Sequence, residues 1–399
     1  MAPLELTNTH PALRYCWHPV ARSADVGDRP VRVVLLGEPW VLARLAEDGG
    51  LAAFPDRCPH RMAPLSLGSV DVVEGGAADV ESGAAAAAGG AAAVAGGGPR
   101  QVLRCAYHGW RFAAEGRCVE IPALGPGSAH IPPKAHLRAA AGVAERHGMV
   151  FLRPLAPEPG HPGTEELAAL AALPDVEEAH DPAFMAGDLP VLRARASAGL
   201  LADNFLDMAH FPFVHAATFG AEDPVVAPMT VERAASGAFG RWSFTSVSEH
   251  PFLHREDPGV ADGVRPLVQR RRVTYRVHAP FHLVLRLDFL DAGGTNVIGF
   301  FLQPETEDRT RIYSTLWRDD VGHDPERMRS AVDFELKVVE EDLAVQEAYD
   351  VLSLPLDPAA EVHTRADRTT LELRRMLAEL VDAAAVAGGP ARRPTASVR

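Results

Sequence analysis

Residues 203 to 215 read Asp-Asn-Phe-Leu-Asp-Met-Ala-His-Phe-Pro-Phe-Val-His, and they place two histidines and a few polar side chains in an otherwise apolar run. Asn204, Asp207 and His210 follow one another at intervals of three residues. On a helix, residues three apart lie on the same face. The spacing therefore predicts one helical face that carries an amide, a carboxylate and an imidazole.

The second histidine of this stretch, His215, follows His210 by five residues, which does not suit a regular helix. Pro212 disfavours helix at Phe211 and lets the chain turn, so both imidazoles can point at one spot. Two imidazoles and one carboxylate form the facial triad of non-haem Fe(II) oxygenases, which leaves positions open for O2. The alternative is that both histidines are ordinary core or surface residues, because short motifs discriminate weakly.

The composition predicts a soluble protein with two domains. The chain has 399 residues, and its 39 basic and 53 acidic residues give a net charge of −14, which argues against nucleic acid as a partner. It shows neither a signal peptide nor an apolar run long enough for a bilayer, so no membrane is expected. The few cysteines predict a reducing, cytoplasmic location and metal chemistry rather than a disulfide framework. They are Cys16, Cys58, Cys105 and Cys118.

Two short boxes upstream each combine a cysteine with a histidine. The first is Cys58-Pro59-His60-Arg61 and the second is Cys105-Ala106-Tyr107-His108-Gly109-Trp110. Two thiolates on one iron and two imidazoles on the other hold a [2Fe–2S] cluster of Rieske type. A structural zinc site would use the same four ligands, but the usual C-x-x-C and H-x(3–5)-H spacings are not present. The boxes therefore favour the cluster.

Taken together and in this order, the boxes and the 203–215 stretch resemble the motifs of Rieske non-haem iron oxygenases. The resemblance is to the oxygenase (alpha) component, covers nearly the whole chain, and is nearer to the vanillate O-demethylase branch than to the αβ aromatic ring-hydroxylating dioxygenases. It implies a Rieske cluster on Cys58, His60, Cys105 and His108. It also implies Fe(2+) held by His210, His215 and an Asp on a late helix.

The resemblance further implies how the two iron sites communicate. Asp207 would bridge the iron-site histidine to a Rieske histidine of a neighbouring subunit in a homotrimer, and Asn204 would support the site or line the pocket. Electrons would come from NAD(P)H through a ferredoxin or reductase. For Asp207, an ion-pair partner within its own helix remains the alternative.

The third iron ligand is predicted on a helix that begins at Asp324 and runs to about Tyr349. Asp342 lies at the edge of its apolar stripe, where a carboxylate is costly unless it is paired or bound to metal. Asp342 is therefore the predicted ligand. Glu341 is the alternative because the helix phase is uncertain by one residue, and a solvated acidic run remains open for Glu340 and Glu341.

The predicted organisation is α+β. Residues 1 to 155 are expected to form an antiparallel β Rieske domain, and residues 156 to 386 a catalytic domain with a curved antiparallel sheet packed against helices, in a helix-grip-like arrangement. An Ala/Gly-rich insertion at 74 to 98 and a tail at 387 to 399 are expected to be disordered. Short alternating runs after residue 240 predict the strands of the sheet.

The predicted function is oxygenation of a small, apolar, aromatic substrate with O2. Phe205, Phe281 and Phe289 are the candidate pocket residues. The sequence leaves hydroxylation, demethylation and oxidative cyclisation open. The alternative from another class is a Rieske electron carrier or small-molecule binder without oxygenase activity.

Overall fold

The computed structural model describes residues 4–45, 50–73, 100–125, 131–219, 223–254, 260 and 262–388. The chain divides into two compact units. The larger unit contains Met1–Pro19, Leu35–Gly37 and Arg153–Arg399, and the smaller unit contains Val20–Val34 and Glu38–Leu152. The sequence analysis assigned residues 1 to 19 to the first domain, whereas here they cluster with the C-terminal part, because the strand Glu5–Thr7 pairs with Ser353–Pro355. The predicted insertion at 74 to 98 lies outside the described residues.

The smaller unit is built from short strands. One sheet contains Val31–Leu35, Glu38–Arg44 and Leu51–Pro55, and a second contains Ser69–Val73, Arg100–Arg104, Arg111–Phe112 and Cys118–Glu120. A third sheet contains Gly142–Arg146, Met149–Arg153 and His18–Arg22, and the last two of these strands reach the unit boundary. Its core joins Phe54, Leu103 and Phe112 to the buried Cys58 and Cys105. The single cysteine of each box is thus anchored in a packed apolar core, which fixes the loop that follows it.

The larger unit is dominated by one eight-stranded sheet whose described pairings are all antiparallel. Its strands are Met185–Asp188, Leu192–Ala194, Met229–Arg233, Ser243–Leu253, Val268–His278, His282–Phe289, Thr295–Thr306 and Arg309–Arg318. The predicted runs lie in the strands of this sheet. Val268–His278 buries every second side chain, whereas Thr295–Thr306 buries all but its last residue. The α+β class is confirmed.

Three longer helices belong to the larger unit. They are named here the motif helix (Ala198–Leu206), the acidic helix (Pro325–Gln346) and the C-terminal helix (Arg368–Gly388), and shorter helices cover Thr164–Ala168 and Phe211–Val214. Asp324 caps the acidic helix, since its carboxylate accepts the N–H of Glu326 at 2.8 Å, as the sequence predicts. The C-terminal helix continues to Gly388, beyond the predicted start of the tail at 387, and residues 389 to 399 lie outside the described part of the chain.

Candidate metal centres and cavity

Three side chains of the larger unit converge on one point. His210 Nε2 and His215 Nε2 are 3.2 Å apart, and Asp342 Oδ1 lies 3.3 Å from the first nitrogen and 3.2 Å from the second. Two ligands at right angles, each about 2.1 Å from a divalent first-row ion, would be about 3.0 Å apart. The three donors, here called the triad, therefore fit one metal ion and occupy one side of it.

The local fold that brings the two histidines together differs from the sequence prediction. The motif helix ends at Leu206, and Asp207 is extended, with φ −80° and ψ 134°. Asn204, Asp207 and His210 therefore do not share one helical face. The Asp207 carboxylate accepts the N–H of Ala209 at 2.9 Å, a local contact that competes with helix continuation.

Pro212 also acts differently from the prediction. It lies in the first turn of the short helix Phe211–Val214, where its missing N–H is not needed. The turn between the two helices, rather than a break at Phe211, brings His210 and His215 into contact. The predicted convergence of the two imidazoles is therefore present in the structure, although the sequence analysis gave a different local cause.

A carboxylate contacts the Nδ1 atom of each imidazole in the triad, on the side away from the convergence point. Asp207 Oδ2 is 2.9 Å from His210 Nδ1, and Glu341 Oε2 is 2.7 Å from His215 Nδ1. Glu341 also accepts the hydroxyl of Thr218 at 2.9 Å. Such outer carboxylates orient metal-binding histidines and fix their tautomers. Asp342 thus faces the convergence point, whereas Glu341 supports a histidine.

Asn204 contacts the third donor, since its amide Nδ2 lies 3.4 Å from Asp342 Oδ1.

The pKa values of His210 and Asp342 are shifted by the contacts between them. Burial lowers the pKa of His210, but its hydrogen bonds with Asp207 and Asp342 outweigh that effect and raise the pKa to about 9. Burial alone would raise the pKa of Asp342, yet the two histidines lower it. These contacts favour a positive charge, whether a proton or a metal ion, next to the ionised carboxylate of Asp342.

The Cys–His boxes bring their histidines together within the smaller unit. The rings of His60 and His108 lie 4.5 Å apart between centroids, and Trp110 stacks on His60 at 4.7 Å. His60 Nδ1 is buried and has no hydrogen-bond partner among the described residues. Burial raises the pKa of the Cys58 thiol to about 11, with a further contribution from Cys105 beside it. These are the donors that a metal cluster would take up.

Backbone hydrogen bonds close each box into a tight loop. The N–H of Cys58 donates to Ala63 O at 2.8 Å, and the N–H of Cys105 donates to Trp110 O at 2.9 Å. Gly109, with φ +71°, adopts the left-handed conformation that closes the second loop. Cys16 and Cys118 belong to neither box and are also buried free thiols.

A cavity of about 160 Å³ opens onto the triad. Its apolar wall includes the predicted Phe205 and Phe289, but Phe281 is buried elsewhere and does not line it. Asn204, which was predicted to support the site or line the pocket, does line the cavity, but the sequence analysis missed other polar lining residues. Arg271 is the clearest case, and the alternation of Val273, Tyr275 and Val277 with polar neighbours would have placed Arg271 on the same inward face.

Two family models match most of the chain. Residues 16–78 and 89–139 match the Rieske [2Fe-2S] domain, and residues 194–383 match the vanillate O-demethylase oxygenase C-terminal domain. Among the residues that the structure describes, no helix has both the length and the apolar character needed to cross a membrane.

Curated relatives match the chain over different lengths. The methylxanthine N1-demethylase of Pseudomonas putida is 28% identical over 384 residues, which is 93% of this chain and 90% of the demethylase. Chlorophyllide a oxygenase of Arabidopsis thaliana is 30% identical over 236 residues, or 58% of this chain. The chain spans only 32% to 51% of the length of four relatives, including the Arabidopsis protein.

A solved structure shares the fold. The structure of Pseudomonas putida CBB5 NdmA with caffeine superposes with a TM-score of 0.70 at 23% identity, over 94% of this chain and 93% of that one.

Proposed function

We propose that this chain, which belongs to the Rieske non-haem iron oxygenases, uses O2 to hydroxylate, demethylate or oxidatively cyclise a small aromatic molecule. The observation that carries the proposal is the triad, three converging donors on the wall of a largely apolar cavity. In hydroxylation or demethylation, one oxygen atom enters a C–H bond and the other leaves as water. Two electrons and two protons balance this step, and a hydroxylated methyl group on oxygen or nitrogen departs as formaldehyde.

The cofactors of this family are a Rieske [2Fe–2S] cluster and a mononuclear Fe(II). We assign the cluster to Cys58, His60, Cys105 and His108. We assign the mononuclear iron to His210, His215 and Asp342. When bound, these centres supply stored electrons and the activation of O2.

The chain's own residues orient the ligands and keep water out. A carboxylate accepts hydrogen bonds, so Asp207 and Glu341 keep the protons of His210 and His215 on Nδ1. Each Nε2 lone pair then points at the convergence point. Phe205 stacks on Phe300 at 4.5 Å and forms part of a dry wall against which an apolar ring can pack.

Asp207 is proposed to link the iron site to the Rieske site of a neighbouring subunit in a homotrimer. Its side chain is 27% exposed, so it can accept a further hydrogen bond in addition to those from His210 and Ala209. The test uses mixed oligomers of Cys58→Ser/Cys105→Ser chains with His210→Ala/His215→Ala chains, each inactive alone. Recovered activity supports the link between subunits, and Asp207→Ala in the iron-competent chain should remove it. No recovery in verified mixed oligomers would make Asp207 a contact within one chain only.

A ferredoxin or reductase that draws on NAD(P)H is the proposed electron donor, and the cytoplasm is the proposed location. The four cysteines are free and buried, which suits a reducing compartment. The net charge of −14 argues against nucleic acid as a partner.

Iron counting tests the proposed function against the Rieske electron carrier. Anaerobically purified protein should hold three irons per chain, and the carrier would hold two. Aromatic methyl ethers and arenes are then supplied with NADH, a reductase and O2, and product is measured against O2 consumed. Two irons and no oxygenated product from any probe would contradict the proposal.

A further inference from the structure

Arg271 is an arginine on the inward face of the sheet. In the strand Val268–His278, the side chains of Gln269, Arg271, Val273 and Tyr275 are buried, whereas Arg270 and Arg272 point outward. Arg271 is only 6% exposed and lies on the wall of the cavity. Arginines are almost never this buried unless they are paired.

The partners of Arg271 in the described structure are aromatic rings rather than acids. Its guanidinium carbon lies 4.8 Å from the ring centre of Phe252 and 5.5 Å from that of Phe219. Its Nε is buried without a hydrogen-bond acceptor, and no ion pair joins it to a described residue. Cation–π contacts offset part of the loss of hydration, but an acceptor for its N–H groups is still lacking.

The two neighbouring arginines provide a contrast. Arg270 pairs with Asp291 at 3.0 Å, and Arg272 pairs with Glu249 at 2.7 Å. Both are on the outward face, where water would also satisfy them. The strand therefore pairs its two exposed guanidinium groups with carboxylates and leaves its buried one without such a partner among the described residues.

The other described charged groups on the cavity wall do not act as ion-pair partners of Arg271. Arg318 is held by Asp320 at 2.7 Å, and Asp342 belongs to the triad. Glu335 lies on the same wall and its negative charge favours the Arg271 cation, but no ion pair between the two is found in the described residues. Arg271 therefore presents hydrogen-bond donors to whatever occupies the cavity.

Building on the proposed function, we propose that the substrate is a single-ring aromatic carboxylate whose anionic group pairs with Arg271. The planar fork of a guanidinium matches a carboxylate with two parallel hydrogen bonds. The cavity volume of about 160 Å³ is close to the ~150 Å³ that accommodates benzene in an engineered apolar cavity. Because His210, His215 and Asp342 line the same cavity, a ring held at Arg271 shares that space with the iron ligands.

The test measures binding without turnover. Benzoate and benzamide, which have the same shape but differ in charge, are titrated calorimetrically into anaerobic holoenzyme. Wild-type protein should bind benzoate at least tenfold more tightly than benzamide. Arg271→Met should abolish that preference, and Arg271→Lys should restore only part of it. Arg272→Met is the matched control and should keep the full preference.

Several results would overturn the proposal. They are equal affinity for the two probes, binding of neither probe by the wild-type protein, or the same loss in Arg272→Met as in Arg271→Met. The Rieske visible spectrum and a thermal melt show whether an Arg271 variant is folded. If it is not, the affinities of the wild-type protein for benzoate and benzamide still test the proposal.

Turnover separates this inference from the proposed function. If 4-methoxybenzamide is demethylated as well as 4-methoxybenzoate, the oxygenase function stands and the carboxylate site fails. If benzoate binds through Arg271 but no probe is oxygenated, the carboxylate site stands and the oxygenase function fails.

Discussion

Replacing Glu341 with Ala should weaken Fe(II) binding about tenfold and leave the Rieske visible spectrum unchanged. The variant removes the acceptor that lies 2.7 Å from His215 Nδ1 and also leaves Thr218 without its 2.9 Å partner. A hydrogen bond to a charged group contributes about 1.5–3 kcal/mol, and loss of such an outer partner costs about 10–100-fold in metal affinity. The Glu341 side chain is 26% exposed, so water replaces part of the interaction and the lower end of that range applies.

The assay is competition for Fe(II) against a chelator, with iron counted after dialysis. Glu341→Gln should recover most of the affinity, because its amide oxygen still accepts from Nδ1. Glu340→Gln is the control, because Glu340 is exposed on the same helix and should bind iron as the wild type does. Unchanged iron affinity in Glu341→Ala would refute the supporting role. Complete loss of the iron in Glu341→Ala together with retention in Asp342→Ala would exchange the roles of the two residues.

Further tests use the assignment of the triad and the boxes to different units and the packing within each unit. His210→Ala or Asp342→Ala should abolish turnover and remove one iron per chain. Either variant should keep the cluster spectrum, because the triad and the boxes belong to different units. Loss of the cluster colour would contradict this prediction. Arg374→Met should lower the free energy of unfolding by about 3 kcal/mol in denaturant titrations, because the carboxylate of Asp203 would lose its buried ion-pair partner. The control is Arg375→Met, whose side chain is 65% exposed and which should change the free energy of unfolding by at most about 0.5 kcal/mol. Gly68→Ala should lose the cluster spectrum, because its Cβ would lie 1.9 Å from the Arg104 carbonyl oxygen next to Cys105, while Gly27→Ala, with nothing within 4 Å of its Cβ, should keep it.

The large sheet could be predicted from the sequence because alternation along a strand is a local signal. The predicted run at 282 to 289 coincides with His282–Phe289, and the run at 241 to 245 lies at the start of the longer strand Ser243–Leu253. The strands extend beyond the predicted runs because their outer residues pair with neighbours that are distant in sequence. His250, for example, lies beyond the predicted run and pairs with Arg271.

The details of the triad could not be predicted, because they depend on contacts that spacing does not encode. The end of the motif helix depends on the side chain of Asp207, which bonds Ala209 instead of continuing the helix. The choice between Glu341 and Asp342 depends on where His215 lies relative to the acidic helix, and the sequence alone does not give that position. Arg271 was missed because arginine is normally expected at the surface.

The order of the two units along the chain has a consequence for engineering. The smaller unit interrupts the larger one, which, apart from Leu35–Gly37, stops at Pro19 and resumes at Arg153. Near this interruption, the N–H of Leu155 donates to Arg14 O at 2.8 Å, so the two cut ends of the larger unit are neighbours. The smaller unit is thus a domain insertion whose removal needs only a short linker. A chain in which glycines replace residues 20 to 152 would lack Leu35–Gly37 and the cluster, yet should still bind one Fe(II), so ligand binding at the iron could be measured with no electron able to reach it.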